Sequence, residues 1–473
     1  MKIVFCCSEI IPFAKTGGLG DVCGSLPLAL EKLGHEIYLC MPLYRSVENG
    51  PWPRRPLGKG FSTTSAGKNI KVLFIESKEF FGRPGLYGDG KNDYPDNLDR
   101  FVFFCRQVFA GLKELNVQPD ILHCHDWQAA LIPAYRNFRF YNDPFFRRTK
   151  TVLTIHNLAF QGIFPREQYS KLQLDSSLFT TDGFEFYGKI NLLKAAILYS
   201  DRVTTVSPCY AMEIQTPQFG CGLDGLIRAR RKSVTGILNG INYDIWNPRT
   251  DDHLEKKYDA DESNGKRINK QALQRAFGLT VQPDIPLFGF VGRLTHQKGI
   301  DLMMEAIPRL LDGPWQIVIL GEGDHDMQEK LKEIAGRMPE RLAFQFQFNE
   351  NTAHRIYAGS DFFLMPSAFE PCGLSQMISL RYGTVPLVRH VGGLVDTIRP
   401  FQESGNGLVF KEHTARALGA CFREALRVYQ DAALFAKLRQ RAFTERFPWD
   451  NSARRYEEIY EKLLAASEEK QVR

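Results

Sequence analysis

The sequence predicts an α/β protein made of two doubly wound, Rossmann-like domains. Short apolar runs, rich in β-branched and aromatic residues, alternate with segments of helical length, which is typical of parallel sheets covered by helices on both faces. This alternation starts at residue 2, is interrupted by a polar stretch over 247–286, and then starts again. Two such series within 473 residues predict two domains with a junction near residue 240.

The first half, predicted as domain 1–240, contains six strand candidates. They are KIVFCC (2–7), EIYLCM (36–41), IKVLFIE (70–76), DILHCH (120–125), TVLTIH (151–156) and DRVTTVS (201–207). Helices are expected between them, for example over 21–33 and 127–139. Residues 48–69 are rich in Pro, Gly and Ser and are expected to form a surface loop.

The second half, predicted as domain 241–446, contains five strand candidates. They are PLFGFVG (286–292), WQIVILG (315–321), LAFQFQF (342–348), DFFLMP (361–366) and TVPLVR (384–389). Helices are expected over 299–311 and 373–382. In the last segment, 447–473, apolar side chains recur at helical spacing and predict an amphipathic helix: Tyr456, Ile459, Tyr460, Leu463 and Leu464.

The composition excludes several classes of protein. A net charge of +6 over 473 residues is too small to indicate a nucleic-acid-binding protein by itself. The ten cysteines are scattered without a C-x-x-C pair, which favours reduced thiols over a disulfide framework. The N-terminus enters a strand pattern directly, and no apolar run is long enough to cross a membrane. We therefore expect a cytoplasmic protein without a membrane partner.

Ligands of open α/β sheets bind beyond the carboxyl ends of the strands, and two facing domains predict one deep cleft there. In the first half, the loop KTGGLGD (15–21) offers backbone amides and Lys15 to an anion, although it also fits a plain turn before a helix. In HCHDWQAA (123–130), the H-x-H spacing is weak evidence for a metal. Asp126 is expected to cap a helix there, and Trp127 to form an apolar wall that could stack on a sugar.

Three further loops follow predicted strands and carry polar groups. In TIHNLAFQG (154–162), His156 and Asn157 fit hydroxyl binding better than a buried core position. In GRLTHQKGID (292–301), Arg293 and Lys298 suit a diphosphate leaving group. In SAFEPCGLSQ (367–376), Glu370 precedes a predicted helix and could bind sugar hydroxyls.

Five motifs in this order resemble bacterial glycogen synthases and plant starch synthases. They are K-T-G-G-L-x-D-V, H-x-H-D-W, T-I-H-N-L-A-F-Q-G, G-R-L-T-x-Q-K-G and E-P-C-G-L-S-Q, and the similarity runs from residue 2 to beyond residue 450. The resemblance implies a GT-B fold whose C-terminal helix crosses back to the first domain. It also implies retaining transfer of glucose from ADP-glucose to the 4-hydroxyl at the non-reducing end of an α-1,4-glucan. No metal or other cofactor and no nucleic acid are expected.

The resemblance also implies roles for individual residues. Arg293 and Lys298 neutralise the departing ADP, Glu370 holds the glucosyl hydroxyls, and the carbonyl of His156 lies near the anomeric carbon. Further donor contacts are assigned to Lys15, Gly17, Gly18, Tyr357 (towards adenine), Cys372, Gly373, Leu374, Gly392 and Gly393. Contacts to glucose or the acceptor are assigned to Asp21, Tyr94, Asp126, Trp127, Asn157 and Asn239. Val391 replaces the threonine usual before the second G-G-L, which predicts a weaker donor contact.

Retention could proceed through a nucleophilic carboxylate or by attack on the same face as the departing ADP. Same-face attack is favoured, because Glu370 is assigned to the glucosyl hydroxyls. The sequence disfavours three alternative functions. Transferases using UDP- or GDP-sugars usually carry E-x7-E, but Ile378 stands where the second glutamate would be. No G-x-G-x-x-G supports a dinucleotide oxidoreductase. A non-catalytic glucan-binding protein would not need Lys15, Arg293, Lys298 and Glu370.

Overall fold

The chain forms two compact units. One comprises Met1–Gly240 and Trp449–Arg473, and the other comprises Ile241–Pro448. The computed structural model describes residues 1–90, 92–262, 264–310 and 313–472, without the side chains of residues 403 and 467–472. The predicted helix over 299–311 and the predicted segment 447–473 therefore end at residues outside this description, Leu311 and Arg473.

The first unit is centred on a largely parallel sheet whose central strands are almost entirely buried. Its strands are β1 (Lys2–Cys6), β2 (Glu36–Pro42), β3 (Arg55–Pro56), β4 (Phe61–Ala66), β5 (Ile70–Ile75), β6 (Ile121–His125), β7 (Lys150–Ile155), β8 (Ile163–Pro165), β9 (Glu185–Phe186), β10 (Lys189–Asn191), β11 (Arg202–Thr205) and β12 (Val234–Gly236). Nine of them form one sheet in the order β12-β11-β7-β6-β1-β2-β5-β4-β3. The other three, β8, β10 and β9, form a small antiparallel sheet.

Helices cover this sheet. They are α1 (Gly18–Lys32), α2 (Arg45–Glu48), α3 (Lys78–Phe81), α4 (Asn97–Glu114), α5 (Leu131–Phe138), α6 (Leu192–Tyr199), α7 (Pro208–Glu213) and α8 (Asp224–Ala229). In α4, the buried residues Leu98, Phe101, Cys105 and Leu112 recur at helical spacing and pack on the core. The strands and helices therefore share one apolar core.

The second unit has a six-stranded, fully parallel sheet in the order β15-β14-β13-β16-β17-β18. Its strands are β13 (Leu287–Val291), β14 (Gln316–Leu320), β15 (Leu342–Gln345), β16 (Phe362–Met365), β17 (Val385–Arg389) and β18 (Leu408–Phe410). Its helices are α9 (Asn264–Ala276), α10 (Ile300–Ala306), α11 (His325–Arg337), α12 (Glu350–Gly359), α13 (Ser375–Arg381), α14 (Gly393–Thr397), α15 (Ala415–Gln430) and α16 (Ala432–Thr444). Numbered within the unit, the strand order is 3-2-1-4-5-6, as in dinucleotide-binding Rossmann folds.

The last helix, α17 (Trp449–Val472), belongs to the first unit. Tyr456 and Tyr460 are fully buried and Leu463 is 8% exposed, so the predicted apolar stripe is confirmed. Tyr460 Oη lies 2.8 Å from Nδ1 of His123, the middle residue of β6. His35 Nε2 lies 2.9 Å from Glu457 Oε1. The helix therefore packs on the first unit through polar contacts as well as apolar ones.

All eleven predicted strands are confirmed, with ends that shift by one to three residues. The prediction of a surface loop over 48–69 was wrong, because β3 and β4 lie there and extend the first sheet. Phe61 of β4 is buried, and the Ser and Thr residues that follow it pair antiparallel with β5. Threonines and other polar residues can form a strand next to the edge of a sheet without the apolar run on which the prediction relied. None of the described helices is long and apolar enough to cross a membrane.

Candidate active site

Most of the predicted site residues follow strands at the switch point of one sheet or the other. In the first unit, β1 lies between β2 and β6, so the chain leaves β1 in one direction and later returns on its other side. The KTGG loop (15–18) follows β1, and Asp126 follows β6. In the second unit, β13 and β16 flank the switch point and precede Arg293 and Glu370. Switch points are where open α/β sheets bind ligands.

In the second unit, Lys298 and Glu370 form an ion pair. Lys298 Nζ donates to both carboxylate oxygens of Glu370, at 2.9 Å and 2.7 Å. Glu370 is 4% exposed, and the Ser367 hydroxyl donates to its Oε2 at 3.0 Å. Arg293 is exposed and donates to Gln297 Oε1 at 3.1 Å. Two cations and one oriented carboxylate therefore lie on loops that follow neighbouring strands.

The backbone around Glu370 is tightly packed. Gly373 has a φ of +73°, and a Cβ there would lie 2.3 Å from Gln376 Oε1. Gln376 is buried and its Nε2 donates to the carbonyls of Cys372 and Gly373 at 2.9 Å and 3.0 Å. A Cβ on Gly393 would lie 2.2 Å from the Cys372 carbonyl oxygen. Glycine is therefore required at both positions so that the two loops can approach each other.

Two of the residues assigned to the donor make contacts within the second unit. The Gly393 amide donates to the Glu370 carbonyl at 2.9 Å, so it holds the loop instead of facing a phosphate. Tyr357 is 3% exposed, stacks on Phe363 and donates to Ser375 Oγ at 3.0 Å. Its contact with adenine stays a prediction. Val391 is 1% exposed, so its side chain packs in the core where the family's threonine would stand.

In the first unit, a buried carboxylate binds backbone amides of the KTGG loop. Glu9, which is 3% exposed, accepts hydrogen bonds from the amides of Thr16 and Gly17 at 2.6 Å and 3.2 Å. The hydroxyls of Thr16 and Tyr87 also donate to Glu9, at 2.7 Å and 2.6 Å. These two amides therefore fix the loop on Glu9, and the contact of Gly17 with the donor stays a prediction.

Lys15 and Asp21, both assigned to the substrate, lie next to each other. Lys15 Nζ is 2.7 Å from Asp21 Oδ1, and their side chains are 36% and 20% exposed. Gly17 has an extended φ of −160°, and a Cβ there would meet no atom within 4 Å. Neither strain nor packing therefore requires glycine at position 17, which leaves close approach by a ligand as its physical use.

Asp126 organises the loops that follow β6 and β7. Its φ is +54°, a conformation that is costly for any residue but glycine. Asp126 occupies the N-cap position of the short 3₁₀ helix Trp127–Ala129, as predicted, but its side chain makes no capping hydrogen bond and its Oδ1 accepts from the His156 amide at 2.7 Å. Burial raises the pKa of Asp126 to about 7, although hydrogen bonds from the amides of His156 and Asn157 act against it. Burial lowers the pKa of His156 to about 3, so its imidazole ring is neutral.

Three more residues that were predicted for the site lie in the first unit. The Tyr94 ring lies between two guanidinium groups, with the Cζ atoms of Arg83 and Arg100 each 4.9 Å from its centre. Trp127 packs edge-on against Phe101 with ring centres 4.9 Å apart, and its role as an apolar wall against a sugar stays a prediction. Asn239 is 5% exposed, and among the described residues its Oδ1 has no hydrogen-bond partner. A buried amide oxygen without a donor is costly and suits a ligand hydroxyl.

Sequence reasoning missed four residues that position these groups: Glu9, Tyr87, Ser367 and Gln376. Ser367 and Gln376 lie within the loop that was singled out, so proximity in sequence could have indicated them. Glu9 follows β1 by three residues, but its role depends on backbone amides. Nothing in the sequence pairs Tyr87 with Glu9.

The chain is similar to known proteins over nearly its full length. Residues 2–229 match a family model described as the starch synthase catalytic domain, and residues 276–442 match glycosyl transferases group 1. The glycogen synthase of Geotalea uraniireducens (strain Rf4) is 46% identical over 98% of this chain and 99% of that protein. Glycogen synthase 2 of Geobacter sulfurreducens (strain ATCC 51573 / DSM 12127 / PCA) is 44% identical over 97% of this chain and 98% of that protein.

Solved structures show the same fold. The catalytic domain of starch synthase IV from Arabidopsis thaliana, bound to ADP and acarbose, superposes with a TM-score of 0.90 at 32% identity, covering 98% of this chain and 99% of that one. Sucrose-phosphate synthase from Thermosynechococcus elongatus gives a TM-score of 0.61 at 17% identity over 98% and 99% of the two chains, which shows the shared GT-B fold alone. With relatives that are more than 40% identical over nearly their full length, the chain belongs to the glycogen synthase family of glycosyltransferases.

Proposed function

We propose that this glycosyltransferase moves glucose from ADP-glucose to the 4-hydroxyl at the non-reducing end of an α-1,4-glucan such as glycogen, with retention of configuration. The observation that carries the proposal is the group formed by Lys298, Glu370 and Arg293 around the β13/β16 switch point. It offers two cations for a diphosphate and one carboxylate for sugar hydroxyls. The family relationship supports the choice of donor and acceptor, since the related starch synthase IV was solved with ADP and acarbose.

Arg293 and Lys298 act on the leaving group. Charge builds up on the diphosphate as the glycosidic bond breaks, and cations already in place stabilise that charge without reorganising. The guanidinium can bind two phosphate oxygens at once, whereas the ammonium acts as a point charge. No metal ion is needed for this role. Lys298 is 22% exposed and paired with Glu370, so a bound diphosphate would share it with the carboxylate.

Glu370 holds the glucosyl hydroxyls, together with the amides of Cys372, Gly373 and Leu374. Its carboxylate is fixed by Ser367 and Lys298, which makes it an oriented acceptor. A carboxylate bound in this way is a weak nucleophile. We therefore favour attack by the acceptor on the same face as the departing ADP, through a transition state with oxocarbenium character. The Gly392 amide is assigned to the donor phosphates.

The first unit contributes groups for glucose and the acceptor. Lys15, Gly17 and Gly18 are assigned to the donor, and Asp21 lies beside Lys15. The carbonyl of His156 is assigned to the anomeric carbon, with Asn157 beside it. The further sugar contacts assigned here are Tyr94, Asp126, Trp127 and Asn239. Asn239 Oδ1, which has no hydrogen-bond partner in the described part of the chain, supports its assignment, because it needs a hydroxyl donor.

A donor panel tests the function. Purified protein is incubated with glycogen and ADP-, UDP- or GDP-glucose, and nucleotide release and glucan mass are both measured. We expect release from ADP-glucose to be the fastest, with one glucose added per ADP. Faster transfer from UDP-glucose would favour the rival class of transferase. Glucan binding with no release from any donor would indicate a non-catalytic glucan-binding protein.

Lys298→Ala and Lys330→Ala form a matched pair for this assay. Lys330 is an exposed lysine of α11 in the same unit and has no assigned role. We expect only Lys298→Ala to lose transfer. We also place the enzyme in the cytoplasm, a proposal supported by its ten cysteines, which are scattered without a C-x-x-C pair and favour a reducing compartment.

A further inference from the structure

Three metal-binding side chains meet next to the KTGG loop in the first unit. Cys7 follows β1, Cys23 lies on α1, and His125 ends β6. One donor atom from each of them, the two Sγ atoms and a ring nitrogen, lies within 4.8 Å of the other two. All three residues are fully buried. Residues that are 16 and 102 positions apart in sequence are therefore brought together by the switch point of the sheet.

A buried ring nitrogen of His125 without a hydrogen-bond partner is a second, independent observation. His125 Nε2 is buried and has no hydrogen-bond partner among the described residues. The other ring nitrogen, Nδ1, lies 2.9 Å from His156 Nε2. A buried polar atom without a partner is uncommon in proteins and calls for a ligand. If Nδ1 carries the proton and donates it to His156, the lone pair of Nε2 is free to bind a metal ion.

We propose that Cys7, Cys23 and His125 bind one zinc ion. Two thiolates and one imidazole are a donor set typical of Zn²⁺, and three protein ligands leave a fourth coordination position open. Binding displaces one proton from each thiol to the solvent, and the two thiolates then balance the charge of the ion, which matters where no solvent reaches it. Donor atoms of a tetrahedral zinc site with Zn–S bonds of about 2.3 Å lie about 3.8 Å apart, so a small closure of the cluster suffices.

The contact from Nδ1 to His156 strengthens the proposal. Metal-bound histidines almost always donate their second ring N–H to a neighbouring acceptor, which fixes the ring and raises the basicity of the ligand. His123, the other member of the H-x-H motif, is not part of the cluster. Its Nε2 contacts Thr154 Oγ1 at 2.6 Å and its Nδ1 contacts Tyr460. The motif thus supplies one metal ligand instead of two.

The bound ion would join three elements of the first unit. β1, α1 and β6 each contribute one ligand, and the KTGG loop runs between the first two. Zinc would therefore resist separation of α1 from the sheet and stabilise the folded unit. This stabilisation can be measured without the transfer reaction, because the two cysteines are not among its proposed residues.

Zinc content is measured on the full-length protein. Cys209 and Cys221 are the two cysteines that are not buried, so both are first replaced by serine to remove adventitious binding. Because the cluster is buried, the protein is produced in zinc-supplemented medium, passed through a desalting column and analysed for metal by mass spectrometry. We expect about one zinc per chain and a higher melting temperature than for protein produced without added zinc. Cobalt in place of zinc should give the near-ultraviolet thiolate bands of a sulfur-ligated ion.

Cys23→Ala and Cys40→Ala form the matched pair. Both cysteines are fully buried in the first unit, but Cys40 lies outside the cluster. We expect Cys23→Ala to lose the zinc and the gain in melting temperature, and Cys40→Ala to keep both. If circular dichroism shows that Cys23→Ala does not fold, Cys23→Val, which refills the volume of the thiol, takes its place. Folded protein without zinc, or zinc retained at the same level when Cys23 is replaced, would overturn the proposal.

Discussion

Lys298 Nζ lies 2.7 Å from Glu370 Oε2, which joins a cation and a carboxylate from loops that follow neighbouring strands. Each residue holds the other where the proposed reaction needs it. The pair also predicts that the two cations of this site will respond differently to replacement, since Arg293 is exposed and Lys298 partners a buried group.

Arg293→Ala is expected to lower the turnover number by about two to three orders of magnitude, because the charge on the departing diphosphate loses a fixed partner. The melting temperature should stay unchanged, since the side chain is exposed. Lys298→Ala should lose activity to a similar degree and also lower the melting temperature, because Glu370 is left buried without its cation. Steady-state kinetics and thermal unfolding check both variants. Near-normal turnover of Arg293→Ala would contradict the role given to this residue.

Gly17→Ala and Gly373→Ala separate ligand approach from folding. A methyl group at position 17 meets no atom within 4 Å, so we expect normal stability and a loss of about tenfold in kcat/KM, equivalent to about 1.4 kcal/mol. At position 373, the positive φ and the contact with Gln376 predict a loss of both stability and activity. Unchanged kcat/KM in Gly17→Ala would show that no ligand approaches this residue closely.

Glu9→Gln tests how the KTGG loop is held. Glutamine keeps one acceptor oxygen but turns an amide group towards the backbone donors, so at least one hydrogen bond to Glu9 is lost, at a cost of about 2 kcal/mol. We expect faster hydrogen exchange at the amides of Thr16 and Gly17 and a higher KM for the donor. Glu167→Gln, an exposed position in the same unit, is the control. Equal exchange in both variants would argue against this role of Glu9.

Asp251 links the stability of the second unit to pH. Burial acts to raise the pKa of this carboxyl, but hydrogen bonds from His354, Tyr382 and the His253 amide outweigh it, and the pKa is lowered. A lowered pKa means that the stabilisation is present above the unfolded value of about 3.9 and is lost as pH falls through the folded value.

Asp251→Asn should therefore reduce the free energy of unfolding by about 2 kcal/mol at neutral pH. The gap to the wild type should stay constant from pH 8 to pH 5 and narrow below about pH 4. Urea unfolding of both proteins across this range measures it. A gap that closes already near pH 6 would assign the effect to a different group.

The strands of both sheets could be predicted from sequence because buried parallel strands are continuous apolar runs, as in IVFC of β1 or QIVIL of β14. β4 could not be predicted, because its Ser and Thr residues lack that signal. The charged residues of the site were found because they follow strands within recognisable motifs. Contacts between distant segments were not, as with Tyr87 on Glu9, or Cys23 beside Cys7 and His125. The sequence of one segment does not indicate which distant segments the sheet order places beside it.

The most direct test of the account follows the transferred glucose itself. ADP-glucose labelled with ¹³C at the anomeric carbon is incubated with glycogen and the protein, and the new linkage is read by nuclear magnetic resonance. We predict that the label appears in α-1,4 bonds at non-reducing ends, in step with ADP release. A β linkage, label released only as free glucose, or no transfer from this donor would contradict the proposed reaction.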